Sequence, residues 1–336
     1  MLATALDIGT YSIKAISGES GSKPQVNRVV EVFNPNGVAV PTDDAGVEKL
    51  AALIESVLGD YDLPRKDVRI SIPETMVSTK VISIPPLSDA ELASAINWQA
   101  EQHIPIPPEE LALEYQVIFR PGRRDDKQPM RVMLVGLRKQ VIDRYIQVMH
   151  QIGIEPTLIE TQILSILRAL QFTNEDPTTL LVHIGGSSMN LALIHLNELK
   201  FVLSHMNGGQ LLSKALEQSL GLDATQAEQY KRTYGLDPSQ FQGKVREALM
   251  PATRLLVTEI KKSVQFFVNQ NPQESVKRIV LSGGSAALPG LVQLITEEVG
   301  SEVLVAEPFA TAGGKIPDQI NRPAMIVCMG LLYRDA

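Results

Sequence analysis

A chain of 336 residues with a net charge of −7 is long enough for two sizeable cores and carries the wrong sign of field for a general nucleic-acid binder. At 44% hydrophobic and 21% charged residues it has the balance of an ordinary globular protein, and no uninterrupted apolar run approaches the ~20 residues of a membrane span. Its one cysteine, Cys328, excludes an intrachain disulfide framework and fits a reducing compartment, and its five histidines show no metal-ligand spacing.

The first element is Ala5-Leu-Asp-Ile-Gly-Thr-Tyr-Ser-Ile-Lys-Ala-Ile16, two short apolar runs around a turn made of Gly9, Thr10, Tyr11 and Ser12. It reads as a strand, a tight turn and a returning strand, with Asp7 two residues before the turn glycine. Glycine allows backbone conformations in which successive N–H groups point into one concavity, and such nests hold phosphate oxygens.

Next come the strands Val68–Pro73 and Val77–Ile84 and a helix that opens with Ser88 and Glu91 in capping-box spacing. Ile104-Pro-Ile-Pro-Pro108 ends that helix, because proline cannot continue it. Trp98 on the helix is expected to pack in a core or between domains. Strands Leu113–Phe119 and Met130–Gly136 follow. The basic cluster Arg120–Arg124 is met at once by Asp125 and Asp126, so it reads as a solvated hairpin tip.

Leu180-Leu-Val-His-Ile-Gly-Gly-Ser-Ser-Met-Asn-Leu-Ala-Leu-Ile194 answers the first hairpin. With Asp7 laid on His183, Gly9 falls on Gly185 and Ser12 on Ser188, and Gly186 and Ser187 complete the second turn. Either copy alone is an ordinary β-hairpin; two imply a duplicated architecture with the turns facing across a cleft. Gly208 and Gly209 end a strand and start a helix, a candidate anion-facing amide pair. Arg254–Phe267 is amphipathic, with Leu256, Ile260, Val264 and Phe267 at helical spacing. Glu259, Lys262 and Ser263 share its polar side, a pattern that a solvated face also has. A third turn, Gly283-Gly284-Ser285, joins a strand to a helix with Pro289 in its expected first turn. Pro323–Tyr333 reads as a buried helix packing back on the first half.

With this set of turns in this order, the sequence resembles the actin-like ATPase superfamily and, within it, the PilM family of type IV pilus assembly platforms. Asp7–Lys14 is similar to the first phosphate turn of PilM and FtsA. Arg138–Pro156 resembles the helix after their inserted domain, and Leu158–Leu170 the helix that connects the lobes. The resemblance implies a two-lobed α/β fold of ribonuclease H-like type with duplicated lobes and an inserted strand–helix–strand–strand subdomain. It places the first lobe at 1–66 and 138–178 with the C-terminal helix 323–336 packed on it, the insert at 67–137, and the second lobe at 179–322.

The same resemblance implies ATP and Mg²⁺ as ligands. Gly9, Thr10, Tyr11 and Ser12 would face the phosphates from one side, and Gly185, Gly186, Ser187 and Ser188 from the other, with Gly208 and Gly209 nearby. Asp7 would orient Mg²⁺ through water. Glu259, Lys262 and Ser263 would reach the nucleoside, above Gly283, Gly284 and Ser285. Where the family carries an Asp in the second turn this chain has His183, so hydrolysis is expected to be slow at most; Glu160 and Gln162 both stand as candidates to position water. The implied partner is the tail of a PilN-like membrane protein, with other pilus or type II secretion platform proteins, no nucleic acid, and a possible homo-oligomer. The chain stops at Ala336 without a further amphipathic helix of the FtsA kind. The expectation is therefore a cytoplasmic protein held at the inner membrane through its partner. An actin-fold small-molecule kinase and an FtsA-like filament protein are the alternatives.

Overall fold

The computed structural model describes residues 2–122 and 128–334. Strands β1 (Leu2–Ile8), β2 (Ser12–Glu19) and β3 (Gln25–Phe33) form an antiparallel meander, α1 (Asp44–Asp60) crosses, and β4 (Val68–Ile72) returns parallel to β1. Then come β5 (Val77–Ile84), α2 (Asp89–His103), β6 (Leu111–Phe119), β7 (Met130–Arg138), α3 (Lys139–Gln151), β8 (Leu158–Thr161) and α4 (Gln162–Leu170). A second meander, β9 (Thr179–Ile184), β10 (Met189–His195) and β11 (Glu198–His205), leads into α5 (Gly209–Leu220), α6 (Ala224–Tyr234) and α7 (Lys244–Gln270). After it β12 (Arg278–Ser282) pairs parallel to β9, followed by α8 (Leu291–Val299), β13 (Glu302–Val305), the two-residue β14 (Gly313–Gly314) beside β3, and α9 (Ile326–Leu332).

The duplication is visible in the sheets. One runs β3-β2-β1-β4-β8 with β14 at its edge, the other β11-β10-β9-β12-β13, the same order of meander and parallel strands. The central strands β1 and β9 are buried along almost their whole length because helices cover both faces. On the outer face of the first sheet Leu6, Ile8 and Ile13 pack with α1 and α3. On its inner face the small side chains Ala3 and Ala5 make room for α9.

All seven residues of α9 are buried, as expected of a helix that is apolar all round. A Cβ on Gly330 would sit 1.8 Å from the Ser165 carbonyl oxygen, so only glycine lets α9 lie this close to α4. Arg69 holds the end of α9 by donating to the carbonyls of Leu331 (2.9 Å) and Arg334 (2.6 Å) while paired with Asp67. No helix among the described residues is long and apolar enough to cross a membrane.

The strand–helix–strand–strand insert is β5, α2, β6 and β7, a three-stranded sheet in the order β5-β7-β6. Strand Val68–Ile72, read from the sequence within 67–137, pairs instead with β1 and β8 in the first large sheet. Val132 and Leu134 of β7 face α2, and the alternate residues Met133 and Val135 join a core with α4, β9 and β12. The insert is therefore packed against the second lobe as well as rooted in the first.

Ser88 and Glu91 form the expected capping box. Trp98, expected to pack in a core or between domains, is 60% exposed, because Leu92, Ile96 and Ala100 already form the buried stripe of α2 and Trp98 falls off it. The start of α8 is Leu291, so Pro289 precedes the helix rather than sitting in its first turn. Arg123, Arg124, Asp125 and Asp126 of the expected hairpin tip lie outside the described residues.

Candidate functional site

The two glycine turns are built alike. Gly9 N–H donates to Ser12 O at 3.0 Å, and Gly185 N–H donates to Ser188 O at 2.9 Å. They meet across the lobes: a Cβ on Gly186 would lie 2.9 Å from Thr10 Oγ1 and 3.0 Å from Tyr11 Cβ. Around them is a cavity of about 360 Å³, lined among others by Asp7, Gly9, Thr10, Tyr11, Ser12, Gly185, Gly186, Ser187, Ser188, Gly209, Gly283, Gly284 and Ser285. Gly283 has φ +87, and a Cβ there would be 2.4 Å from Ile184 O, so the third turn needs glycine for both conformation and space.

Asn34, which sequence reasoning did not single out, braces the first turn. Its Nδ2 donates to the carbonyls of Gly9 (2.8 Å) and Val38 (2.9 Å), and its amide donates to Tyr11 O (2.8 Å).

Asp7 is buried at the end of β1. Its Oδ1 accepts from Ser71 Oγ and Gln162 Nε2, both at 2.8 Å, and its Oδ2 pairs with Lys14 at 3.2 Å. Burial alone would raise its pKa, but Lys14, Gln162, Ser71 and His183 outweigh it and hold the carboxyl below its ordinary value. Of the two candidates to position water, Gln162 lines the cavity. Glu160 is spent elsewhere, on Ser165, Arg168 and Arg334. His183 is held by Ser282 Oγ at 3.0 Å, and burial, with Lys14 nearby, pushes it down to about 4 against the pull of Asp7. At neutral pH it is an uncharged imidazole.

Gly208, expected near the phosphates, does not line the cavity; Gly209 does, but its amide is engaged elsewhere. The N–H groups of Gly209 and Gln210 donate to the carbonyls of Gly185 and Gly186, both at 2.8 Å, so this helix start supports the second turn from behind. Glu259, Lys262 and Ser263 do not line the cavity either. Leu256, Ile260 and Phe267 bury the apolar face of α7 on the outer side of the second sheet. Beside that face Glu259 pairs with Lys262 (2.7 Å) and His205 (3.6 Å), and the buried Ser263 bonds back to the Glu259 carbonyl.

The charged helix at the cavity is α6. Lys231 Nζ reaches Gly209 O (3.1 Å), Ser213 Oγ (2.9 Å) and Glu228 Oε2 (2.5 Å), and Arg232 Nε donates to Glu228 Oε1 (2.7 Å). Burial would raise Glu228; Lys231, Arg232 and Ser213 hold it below its ordinary value. The Arg232 guanidinium lies over the Tyr11 ring at 5.6 Å, closing the gap between α6 and the first turn. The sequence signal was a lysine one helical turn after Ala227, on the stripe that α6 buries. Asp223 and Gln226 cap α6 in a full capping box. Asp223→Ala is expected to lower stability by about 1 kcal/mol in urea melts, with the lysine and arginine of α6 less firmly held.

The cations Lys14, Lys231 and Arg232 and the nested turns suit a polyphosphate. Among the described residues no group of three or more His, Cys, Asp or Glu is placed to hold a metal ion. Asp7 opposite a neutral imidazole, with Glu31 and Glu228 of the lining already engaged by Ser12, Lys231 and Arg232, fits an ion carried by phosphate oxygens and water, not one gripped by the protein.

Two lobes of one strand order, each lending a glycine hairpin to the cavity between them, make up the actin-like ATPase fold. The structure is similar to that of MreB5 of Spiroplasma citri bound to AMPPNP, with a TM-score of 0.55, 12% identity, and 98% of this chain and 94% of that one covered. The chain belongs to the type IV pilus assembly protein PilM family, whose model matches residues 5–334. It is also similar to a solved PilM-PilN type IV pilus biogenesis complex, at a TM-score of 0.84 and 23% identity over 98% of this chain and 97% of that one. A further relative, the cell division protein FtsA of Streptococcus pneumoniae serotype 2 (strain D39 / NCTC 7466), is 24% identical over 91% of this chain and 75% of its own.

Proposed function

We propose that this PilM-family chain is a nucleotide-gated scaffold of a pilus assembly platform. It binds ATP, with Mg²⁺ accompanying the phosphates, in the cleft between the lobes and recruits the tail of a PilN-like membrane protein. The observation that carries the nucleotide reading is the pair of like-built glycine turns meeting over Asp7, Lys14 and Lys231. Lys231 and Arg232, held by Glu228, join the phosphate contacts. Turnover is slow, because His183 brings no second carboxylate to the cleft.

The partner reading rests on the family and on the PilN chain present in the structural relative. The docking element we favour is the groove between the first lobe and the insert, with apolar side chains as anchors for the tail. Membrane attachment then comes through the partner. A small-molecule kinase would need an unengaged general base; here Asp7 is tied to Lys14, Ser71 and Gln162, and Glu31 accepts from Ser12 Oγ.

ATP at a hundred times its Kd should stabilise the native chain by about 2.7 kcal/mol, read as a rise in melting temperature alongside a binding isotherm by calorimetry. A folded sample that shows neither heat nor shift with ATP ends the nucleotide reading.

A further inference from the structure

A buried carboxylate links the insert to the cleft. Glu74 opens the 3-10 turn Glu74–Met76 that leads from β4 into β5, and it is 1% exposed. Pro73, Thr75 and Met76 line the cavity, whereas the Glu74 side chain turns to the start of α4. Its Oε2 accepts from Ile163 N–H and its Oε1 from Thr79 Oγ1, each at 3.2 Å. In return Gln162 Oε1 accepts from Glu74 N–H at 3.3 Å. A backbone N–H only donates, so the oxygen of the Gln162 amide must face Glu74. That leaves its Nε2 to donate to Asp7 Oδ1, at 2.8 Å.

Among the described residues no cation offsets Glu74. The charged groups of the elements packed around it are engaged elsewhere: Arg69 with Asp67, Lys14 with Asp7, Arg168 with Glu160, Glu198 with Arg131 and Lys200, and His205 with Glu259. Lys80 of β5 is exposed. Burial pushes Glu74 up to about 7 against the hydrogen bonds from Ile163, Thr79 and Thr161. The ionised carboxylate accepts all of these donors; the protonated one gives up an acceptor site, and its proton is taken only if a threonine hydroxyl reverses from donor to acceptor.

We infer that Glu74 is a positioning residue that couples the insert to the nucleotide cleft through Gln162 and Asp7. The inference rests on the nucleotide reading above. Movement of β5 reaches Asp7 through this joint, and by linkage a nucleotide at Asp7 is felt at the root of the insert.

The test is hydrogen exchange across Val77–Ile84 in the full chain, with and without ATP, on either side of neutral pH, with ATP binding followed by calorimetry on the same samples. In the wild type ATP should change protection there, more strongly above neutral pH than below it. Glu74→Ala should still bind ATP, since Glu74 does not line the cavity. It keeps the N–H bond to Gln162, but without the carboxylate that ties Thr79 of β5 to Ile163 beside Gln162 it should lose most of that change. Glu74→Gln keeps an acceptor for Ile163 N–H, so it should restore the change and remove its pH step. A wild-type response in Glu74→Ala, or an unaltered pH step in Glu74→Gln, overturns the coupling. Binding with no response at Val77–Ile84 in the wild type overturns the coupling alone; no ATP binding by the wild type overturns the nucleotide reading and the coupling with it.

Discussion

Gly208→Ala is expected to weaken ATP binding by roughly 10- to 100-fold, the cost of about 1–3 kcal/mol that forced overpacking brings. The backbone of Gly208 is extended, with φ −130 and ψ −161, a conformation any residue adopts, so the objection to a side chain is purely spatial. A Cβ would lie 2.5 Å from Ser188 N, 2.6 Å from Gly186 O and 2.7 Å from Gly185 O. All three are backbone atoms of the second turn, which has no rotamer to yield. The turn must shift bodily, taking with it the amides that oppose the first turn and the carbonyls that anchor Gly209 and Gln210. The proper control is Gly59→Ala near the end of α1, where a Cβ meets nothing within 4 Å. That variant should bind ATP as the wild type does and be neutral or slightly stabilised, since alanine is the better helix former. Equal ATP affinity in Gly208→Ala and Gly59→Ala, measured by calorimetry, would refute the claim that the second turn holds the nucleotide.

The duplication was legible because it is written in local chemistry. The register that lays Gly9 on Gly185 and Ser12 on Ser188 is the register of the two closing hydrogen bonds. The buried C-terminal helix was legible for a similar reason: a run with no polar face has nowhere to go but a core. What failed was long-range. An amphipathic pattern says which face of α7 is apolar, but not that this face covers the outer side of the second sheet and leaves Glu259 off the cavity lining. On α6 the decisive residue, Lys231, is buried, and composition argues against a buried lysine until its partners Glu228 and Ser213 are seen. Gly208-Gly209 looked like an anion site because helix starts carry spare amides. The carbonyls that consume the Gly209 and Gln210 amides come from a hairpin more than twenty residues earlier. Val68–Ile72 was assigned to the insert by adjacency, whereas strand partners are chosen by pairing with β1 and β8.

His183→Asp should convert a binding cleft into one that responds to Mg²⁺. In the native chain the second hairpin offers a neutral imidazole where its twin offers Asp7, so of the two hairpins only the first brings a carboxylate toward a nucleotide-bound Mg²⁺. A second carboxylate supplies another hard oxygen acceptor for the water around the ion. Hydrolysis of ATP should rise by about tenfold or more, equivalent to ~1.4 kcal/mol of barrier, and ATP affinity should become more sensitive to chelation of the metal. The sign of the acid limb of stability supplies an independent check. His183 folds with its pKa depressed from 6.5 to about 4, so as pH falls through that window the unfolded chain takes up a proton that the native one refuses. Native stability is thus lost toward acid by up to about 3 kcal/mol from this group, and is fully present above the unfolded value. An aspartate buried beside Asp7 has its pKa raised instead, so its contribution favours folding at low pH and is lost as pH rises through the folded value. Asp7, which His183 helps to hold down, titrates together with the new carboxylate and shifts upward with it, in the same direction. The remaining carboxylates are shared by the two proteins and cancel in the difference. Urea melts of both across that range should therefore show the variant gaining on the wild type as the solution is acidified. A difference that is flat with pH, together with unchanged turnover, would mean that His183 is not the residue that keeps this cleft from hydrolysing ATP.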